Sequence, residues 1–160
     1  MKETIQKYLP SLVYGGSDGA VTTFAVMAGA VGAGLDTRII IILGLANLFS
    51  DGFSMASADY LAEDSQVKEN KKRALRDALA TFTSFTVIGF IPLLPIIFAL
   101  EAQKFILSTL FTIITFALIG FLRAKILKRN PLTLALQSVA IGSTCAFIAY
   151  TVGEYISKIV

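Results

Sequence analysis

The strongest constraint on the fold is a succession of long apolar runs that are separated by clusters of charged residues. Each run has few or no charges and is close to the roughly 20 residues that an α-helix needs to cross the hydrocarbon core of a bilayer. Hydrophobic residues make up 55% of the sequence, charged residues only 16%, and the mean hydropathy is +0.73. This composition excludes a soluble domain and predicts a small polytopic membrane protein.

The charged clusters divide the chain into five predicted transmembrane helices, so we expect an all-α fold with one membrane domain over residues 1–160. The third and fourth helices are separated only by Glu101 to Lys104, and can also be interpreted as one apolar block with a hairpin. Pro92 and Pro95 predict a bend in the outer half of the third span. The predicted spans are 13–34, 39–61, 77–100, 104–124 and 132–156.

The positions of lysine and arginine predict the orientation. With the N-terminus in the cytoplasm, 11 of the 14 basic residues fall on the cytoplasmic side, and Arg38, Lys104 and Lys158 fall on the other. Short cytoplasmic loops have the excess of basic residues in membrane proteins, so we expect this orientation. The compact size and the lack of a recognisable organelle signal favour the cell membrane. The net charge of +3 follows from the same bias and does not indicate nucleic-acid binding.

The second span has a stripe of potential metal ligands. An α-helix rotates by about 100° per residue, so side chains four residues apart differ in direction by only about 40°. Residues that recur every four positions therefore form a stripe along one helix face. A carboxylate at the bilayer centre costs roughly 2.5–3.5 kcal/mol on the insertion scale, so the stripe needs a cation, a partner or a water-filled path beside it. The residues of this stripe are Asn47, Asp51, Met55 and Asp59.

Further carboxylates extend this candidate site. Asp18 lies in the first span, and antiparallel packing of the first two spans predicts that it shares a layer with Asp59. Glu63 and Asp64 follow at the inner mouth, where a solvated helix end is the simpler interpretation. Together with Glu69 of the following connector, they place acidic residues on the cytoplasmic side.

The donor types predict the ion. Carboxylate and amide oxygens suit a hard divalent ion such as Mn²⁺ or Fe²⁺, and a thioether adds some preference for the softer iron. A methionine in an apolar helix is usually packing, so only its place on the stripe nominates Met55. Histidine is absent, which removes the commonest ligand of zinc and copper. Because cation loading displaces protons from carboxylates, metal movement in exchange for protons needs no further group.

Small residues stand four apart along the first span, a spacing that lets helix backbones approach closely. The pattern is equally compatible with packing inside one subunit and with an interface between two subunits. The pairs are Gly15 and Gly19, Ala25 and Gly29, and Ala28 and Gly32.

Two segments of the sequence resemble the vacuolar iron transporter family. They are SDGAVTTFAVMAGAVGA in the first span and ANLFSDGFSMASADYLAEDSQ in the second. The resemblance implies a homodimer of five-helix subunits that exports Fe²⁺ or Mn²⁺ from the cytosol in exchange for protons, with the metal path between the two first spans. The family's functional aspartate, methionine and acidic residue fall on Asp18, Met55 and Asp59, the last being glutamate in most members.

The connector between the second and third spans departs from that family. Members that store iron have a long insertion there, rich in glutamate and methionine, whereas Glu63 to Asp77 is short and net basic. This resembles the shorter, nodulin-like and prokaryotic branch.

Two other classes of function are compatible with intramembrane carboxylates. A non-transporting scaffold or sensor module would pair them with basic residues of a partner, and would have no metal affinity. An intramembrane enzyme is disfavoured, because no arrangement of nucleophile and base is recognisable. We therefore expect a transporter that is not an enzyme, has no cofactor beyond the transported metal, and forms a homodimer through its first span within the lipid bilayer.

Overall fold

The computed structural model describes residues 2–65, 71–99 and 103–159, and within these ranges the chain forms helices and no strands. Lys68 and Glu69 of the predicted connector lie outside these residues. The helices are α1 (Lys2–Gly32), α2 (Thr37–Asp64), α3 (Lys71–Gly89), α4 (Leu93–Phe98), α5 (Lys104–Leu127) and α6 (Pro131–Ile156). The all-α prediction is confirmed.

The third predicted span is divided between two helices at its prolines. Helix α3 ends at Gly89, and α4 begins after Pro92. A proline removes a backbone donor and clashes with the preceding turn, which explains the break. The Pro92 carbonyl accepts a hydrogen bond of 2.7 Å from the Ser108 hydroxyl of α5, so the interruption is bonded to a neighbouring helix.

Among the described residues, three helices, α2, α5 and α6, are long and apolar enough to cross a membrane. Helix α1 contains many glycine, serine and threonine residues, whose hydropathy is low, and α3 begins with a charged turn and stops at the proline break. Large apolar side chains of α5 and α6 point outward, among them Ile106, Leu118 and Phe147. Such an exposed apolar surface is typical of a membrane protein.

Helix α1 is the centre of the fold, since it contacts α2, α3, α5 and α6. A Cβ atom at Gly15 or Gly19 would meet the backbone of α3, and one at Gly29 would lie 3.2 Å from the carbonyl oxygen of Ala149 in α6. The small residues of the first span therefore serve packing inside the subunit, one of the two interpretations of their spacing.

The core lies where α1, α2, α3 and α4 meet, around Met27, Leu48, Phe85 and Leu93. On α2 the buried residues also recur every four positions, at Ile40, Gly44, Leu48, Gly52 and Ala56. This buried stripe runs directly beside the polar one, so the polar stripe follows the edge of the packed face.

The contact between α1 and α3 provides a test. We expect Gly19→Ala to lower the free energy of unfolding by about 1–3 kcal/mol, because the added Cβ would meet the Phe85 carbonyl and force the two backbones apart. Gly16→Ala is the matched control, since its Cβ would meet only the flexible end of Ile88. The measurement is thermal unfolding in detergent, in which size-exclusion chromatography after heating gives the fraction of protein that remains folded. Equal effects of the two substitutions would contradict this packing.

Candidate functional site

Asp18 lies on the face of α1 that the neighbouring helices leave open. Gly15, Gly19 and Ala20 are buried against the bundle, whereas Tyr14 is exposed and Asp18 is partly buried. Within the described part of the chain, the Asp18 carboxylate makes no hydrogen bond or ion pair; only its backbone carbonyl is bonded, by the Thr22 hydroxyl at 2.8 Å. The side chain therefore has its oxygens available.

Asp51 and Asn47 of α2 lie beside α1. Both line a cavity of about 600 Å³, together with Ser50 and Ser54 of α2 and with Val26 of α1. The side-chain nitrogen of Asn47 is buried without a partner among the residues described. The sequence predicts that Asp18 shares a layer with Asp59; in the structure, the Asp59 carboxylate is hydrogen-bonded to Thr81 of α3.

The lower half of the stripe turns away from this cavity. Met55 is partly buried and packs against the hydrophobic core, which is the packing role that methionine usually has. Asp59 accepts a hydrogen bond from the Thr81 hydroxyl of α3. The cause is geometric, because a drift of about 40° per repeat accumulates to roughly 120° between Asn47 and Asp59. The stripe therefore begins beside α1 and ends against α3.

Glu63 belongs to a separate charged cluster where α2 ends and α3 begins. Arg73 lies 3.6 Å from the Glu63 carboxylate and 3.4 Å from that of Asp77. Asp64 is partly buried, and one of its oxygens has no hydrogen-bond partner in the described ranges. Glu63 and Asp77 thus share one guanidinium.

A second cavity, of about 690 Å³, opens between α1, α5 and α6. Asp18 and Ser17 line it from α1, Arg123 from α5 and Cys145 from α6. Arg123 falls at the end of the predicted span 104–124, and α5 continues beyond it to Leu127. The apolar residues Ile126 and Leu127 after it were the signal that the helix goes on.

The six predicted ligands do not form one site in this chain. Asn47 and Asp51 line one cavity and Asp18 lines another, Met55 is in the core, and Asp59 and Glu63 face α3. In the described ranges, no group of three or more histidine, cysteine, aspartate or glutamate side chains has a geometry that could hold a metal ion. One subunit therefore presents two carboxylates and an amide beside α1 rather than a closed metal site.

The bond between Thr81 and Asp59 can be tested. We expect Thr81→Val to lower the free energy of unfolding by about 1–3 kcal/mol, because it removes the donor from a partly buried carboxylate. Thr83→Val is the control, since Thr83 is exposed on the same helix. Thermal unfolding of the purified protein is the measurement, and a loss no larger than that of the control would show that the bond is not stabilising.

Comparison with known proteins identifies the family. A sequence profile of the VIT family matches residues 9–74 and 63–154. A protein named vacuolar iron transporter from Toxoplasma gondii is 24% identical, and the alignment covers 98% of this chain and 77% of that protein. One named vacuolar iron transporter homolog 4, from Arabidopsis thaliana, is 31% identical over 92% of this chain and 82% of that protein.

The relatives differ in how much sequence they add. The alignment with the Toxoplasma gondii protein runs over 232 residues, more than this chain has, so that protein contains segments without a counterpart here. The alignment with the Arabidopsis thaliana protein runs over 165 residues, which is close to the length of this chain. Both cover the helices that hold Asp18 and Asp51, and the profile matches most of the sequence. The chain therefore belongs to the VIT family, and it is a metal transporter and not an enzyme.

Proposed function

We propose that this protein exports Fe²⁺ or Mn²⁺ from the cytosol in exchange for protons. The observation that carries the proposal is the pair of partly buried carboxylates on two helices in contact, Asp18 of α1 and Asp51 of α2. The described residues supply neither side chain with a hydrogen bond or an ion pair. Because a carboxylate in a membrane is costly without a compensating charge, a cation or protons must balance this pair.

The chemistry of the region suits these ions. The oxygens of Asp18, Asp51 and Asn47 are the hard ligands that divalent ions such as Mn²⁺ and Fe²⁺ accept. Met55 is packed against the core, so the oxygens make the first contacts with the metal. When the metal leaves, protons replace it on the carboxylates, which couples the two movements. The relatives named vacuolar iron transporter support iron as one cargo.

We infer that the protein works as a homodimer across α1. One subunit offers two carboxylates and an amide, whereas Mn²⁺ takes roughly six oxygen ligands. A second copy on the open face of α1 would double the ligand set and cover a polar surface that lipid solvates poorly. We further propose that α1 and the α3–α4 pair also cross the membrane, which gives five spans with α2, α5 and α6. We propose that the N-terminus is in the cytoplasm and that the protein is located in the cell membrane.

Transport is tested in proteoliposomes with a metal reporter and a pH dye inside. We expect uptake of Fe²⁺ and Mn²⁺ with opposite proton movement, and a loss of at least about tenfold in Asp18→Ala and Asp51→Ala, because each removes a charged ligand. Glu154→Ala is the control, since this carboxylate is exposed and pairs with Lys158 at 2.7 Å.

The outcomes separate the hypotheses. Metal flux that is unaltered in both aspartate variants would refute the site, and flux without proton movement would refute the exchange. If the native protein moved none of Fe²⁺, Mn²⁺ and Zn²⁺, a scaffold or sensor function would replace transport.

The dimer interface is tested by cross-linking in the membrane. In a Cys145→Ser background, we expect Ala25→Cys to form a disulfide-linked dimer on mild oxidation, because Ala25 lies on the open face of α1 above Asp18. Leu118→Cys is the control, since Leu118 is exposed on the outer face of α5. Denaturing electrophoresis without reductant is the measurement, and equal cross-linking at both positions would argue against this interface.

A further inference from the structure

We propose that Arg123 is an internal cation that neutralises Asp18 while no metal is bound, and that an arriving metal ion displaces it. This inference rests on the proposed function, because it concerns the same carboxylate. Arg123 is then a positioning residue that sets how tightly the site holds its cargo. It acts through Asp18 and is not itself a ligand.

The first support is the cavity that the two side chains share. Asp18 and Arg123 line the same space of about 690 Å³ between α1, α5 and α6, and among the side chains that the structure describes Arg123 is the one basic residue in its lining. The remaining walls are mostly apolar, from residues such as Val21 and Ile141. Opposite charges attract more strongly in such surroundings than in water.

The second support is the level of the two groups along the bundle. Helices α1 and α6 run in the same direction, and Gly29 packs against Ala149. Because both helices rise equally per residue, this register places Asp18 level with Ser138. Ser138 is the residue that accepts a hydrogen bond of 3.2 Å from the Arg123 guanidinium. The cation is therefore held at the depth of the carboxylate.

The third support is the balance of charge. Asp18 and Asp51 lie on helices that contact each other, and neither carboxylate has an ion pair in the part of the chain that the structure describes. Arg73 is adjacent to Glu63 and Asp77 instead. Among the described residues, the Arg123 guanidinium donates one hydrogen bond, to the neutral hydroxyl of Ser138, and it has several further N–H donors. If the Arg123 guanidinium moves from Ser138 to Asp18, it exchanges a neutral hydrogen-bond acceptor for a charged one.

This arrangement has a functional consequence. A fixed positive charge near the site opposes a divalent cation, so it lowers affinity and favours release of the cargo. When the metal occupies Asp18, the guanidinium returns to Ser138 and stays hydrogen-bonded. The empty site is thereby stabilised without a metal, which prevents two unpaired carboxylates from facing lipid or the partner subunit.

The test is Mn²⁺ binding to the full chain in lipid nanodiscs, measured by the electron paramagnetic resonance signal of free Mn²⁺. We expect Arg123→Gln to tighten binding about tenfold, because it removes a competing cation. Arg123→Lys should restore the native affinity. Lys125→Gln is the matched control, since Lys125 is exposed near the end of the same helix and does not line the cavity. A purely structural role for Arg123 would weaken binding instead.

A second measurement needs no metal. In the presence of a chelator, we compare the thermal midpoints of Asp18→Asn, Arg123→Gln and the double variant. If the two side chains pair, the double variant loses no more than the larger single loss. Additive losses would overturn the inference, as would unchanged or weaker Mn²⁺ binding in Arg123→Gln. Failure of the native protein to bind Mn²⁺ would instead overturn the proposed function, together with the displacement step.

Discussion

The close approach of α1 to α3 and α6 is the interaction on which the rest of the structure depends. Lipid tails are as apolar as leucine side chains, so helices in a membrane associate through close packing rather than through loss of water. Gly15 and Gly19 on one side of α1, and Gly29 on another, bring backbones together where any larger side chain would not fit. Because α1 is held on two sides, the direction of its open face is fixed, and with it the position of Asp18.

The charges of the bundle fall into two groups that behave differently. At the ends of α2 and α3, Glu63 and Asp77 have Arg73 between them, so this cluster compensates its own charge. Beside α1, Asp18 and Asp51 have no such ion pair in the described ranges. The first arrangement stabilises the fold, whereas the second leaves a deficit of positive charge that a bound metal ion, protons or a side-chain cation can balance.

Much of this could be predicted from the sequence. Apolar length predicted the helices, Pro92 and Pro95 predicted a bend where the structure has a break before α4, and the polar stripe nominated Asn47 and Asp51. The sequence could not predict which neighbouring helix each residue of the stripe contacts. The stripe rotates by about 40° per repeat, and the effect of this rotation depends on where the neighbouring helices lie. The environment of Arg123 could not be predicted for a related reason, since a charged residue near a helix end has the same pattern whether it faces solvent or a cavity.

Helix α5 shows how such a fold can be assembled. Thr109, Thr112 and Thr115 each donate a hydrogen bond to the carbonyl four residues earlier in the same helix, at 2.7 to 2.8 Å. Their hydroxyls are therefore satisfied without any neighbour, which is the condition for entering a hydrocarbon environment alone. Ser108 differs, because its acceptor is the carbonyl that Pro92 exposes. During biosynthesis, the threonine hydroxyls of α5 therefore do not oppose its entry into lipid. The Ser108 hydroxyl gains its acceptor only when α5 packs against the Pro92 segment, which is synthesised just before it.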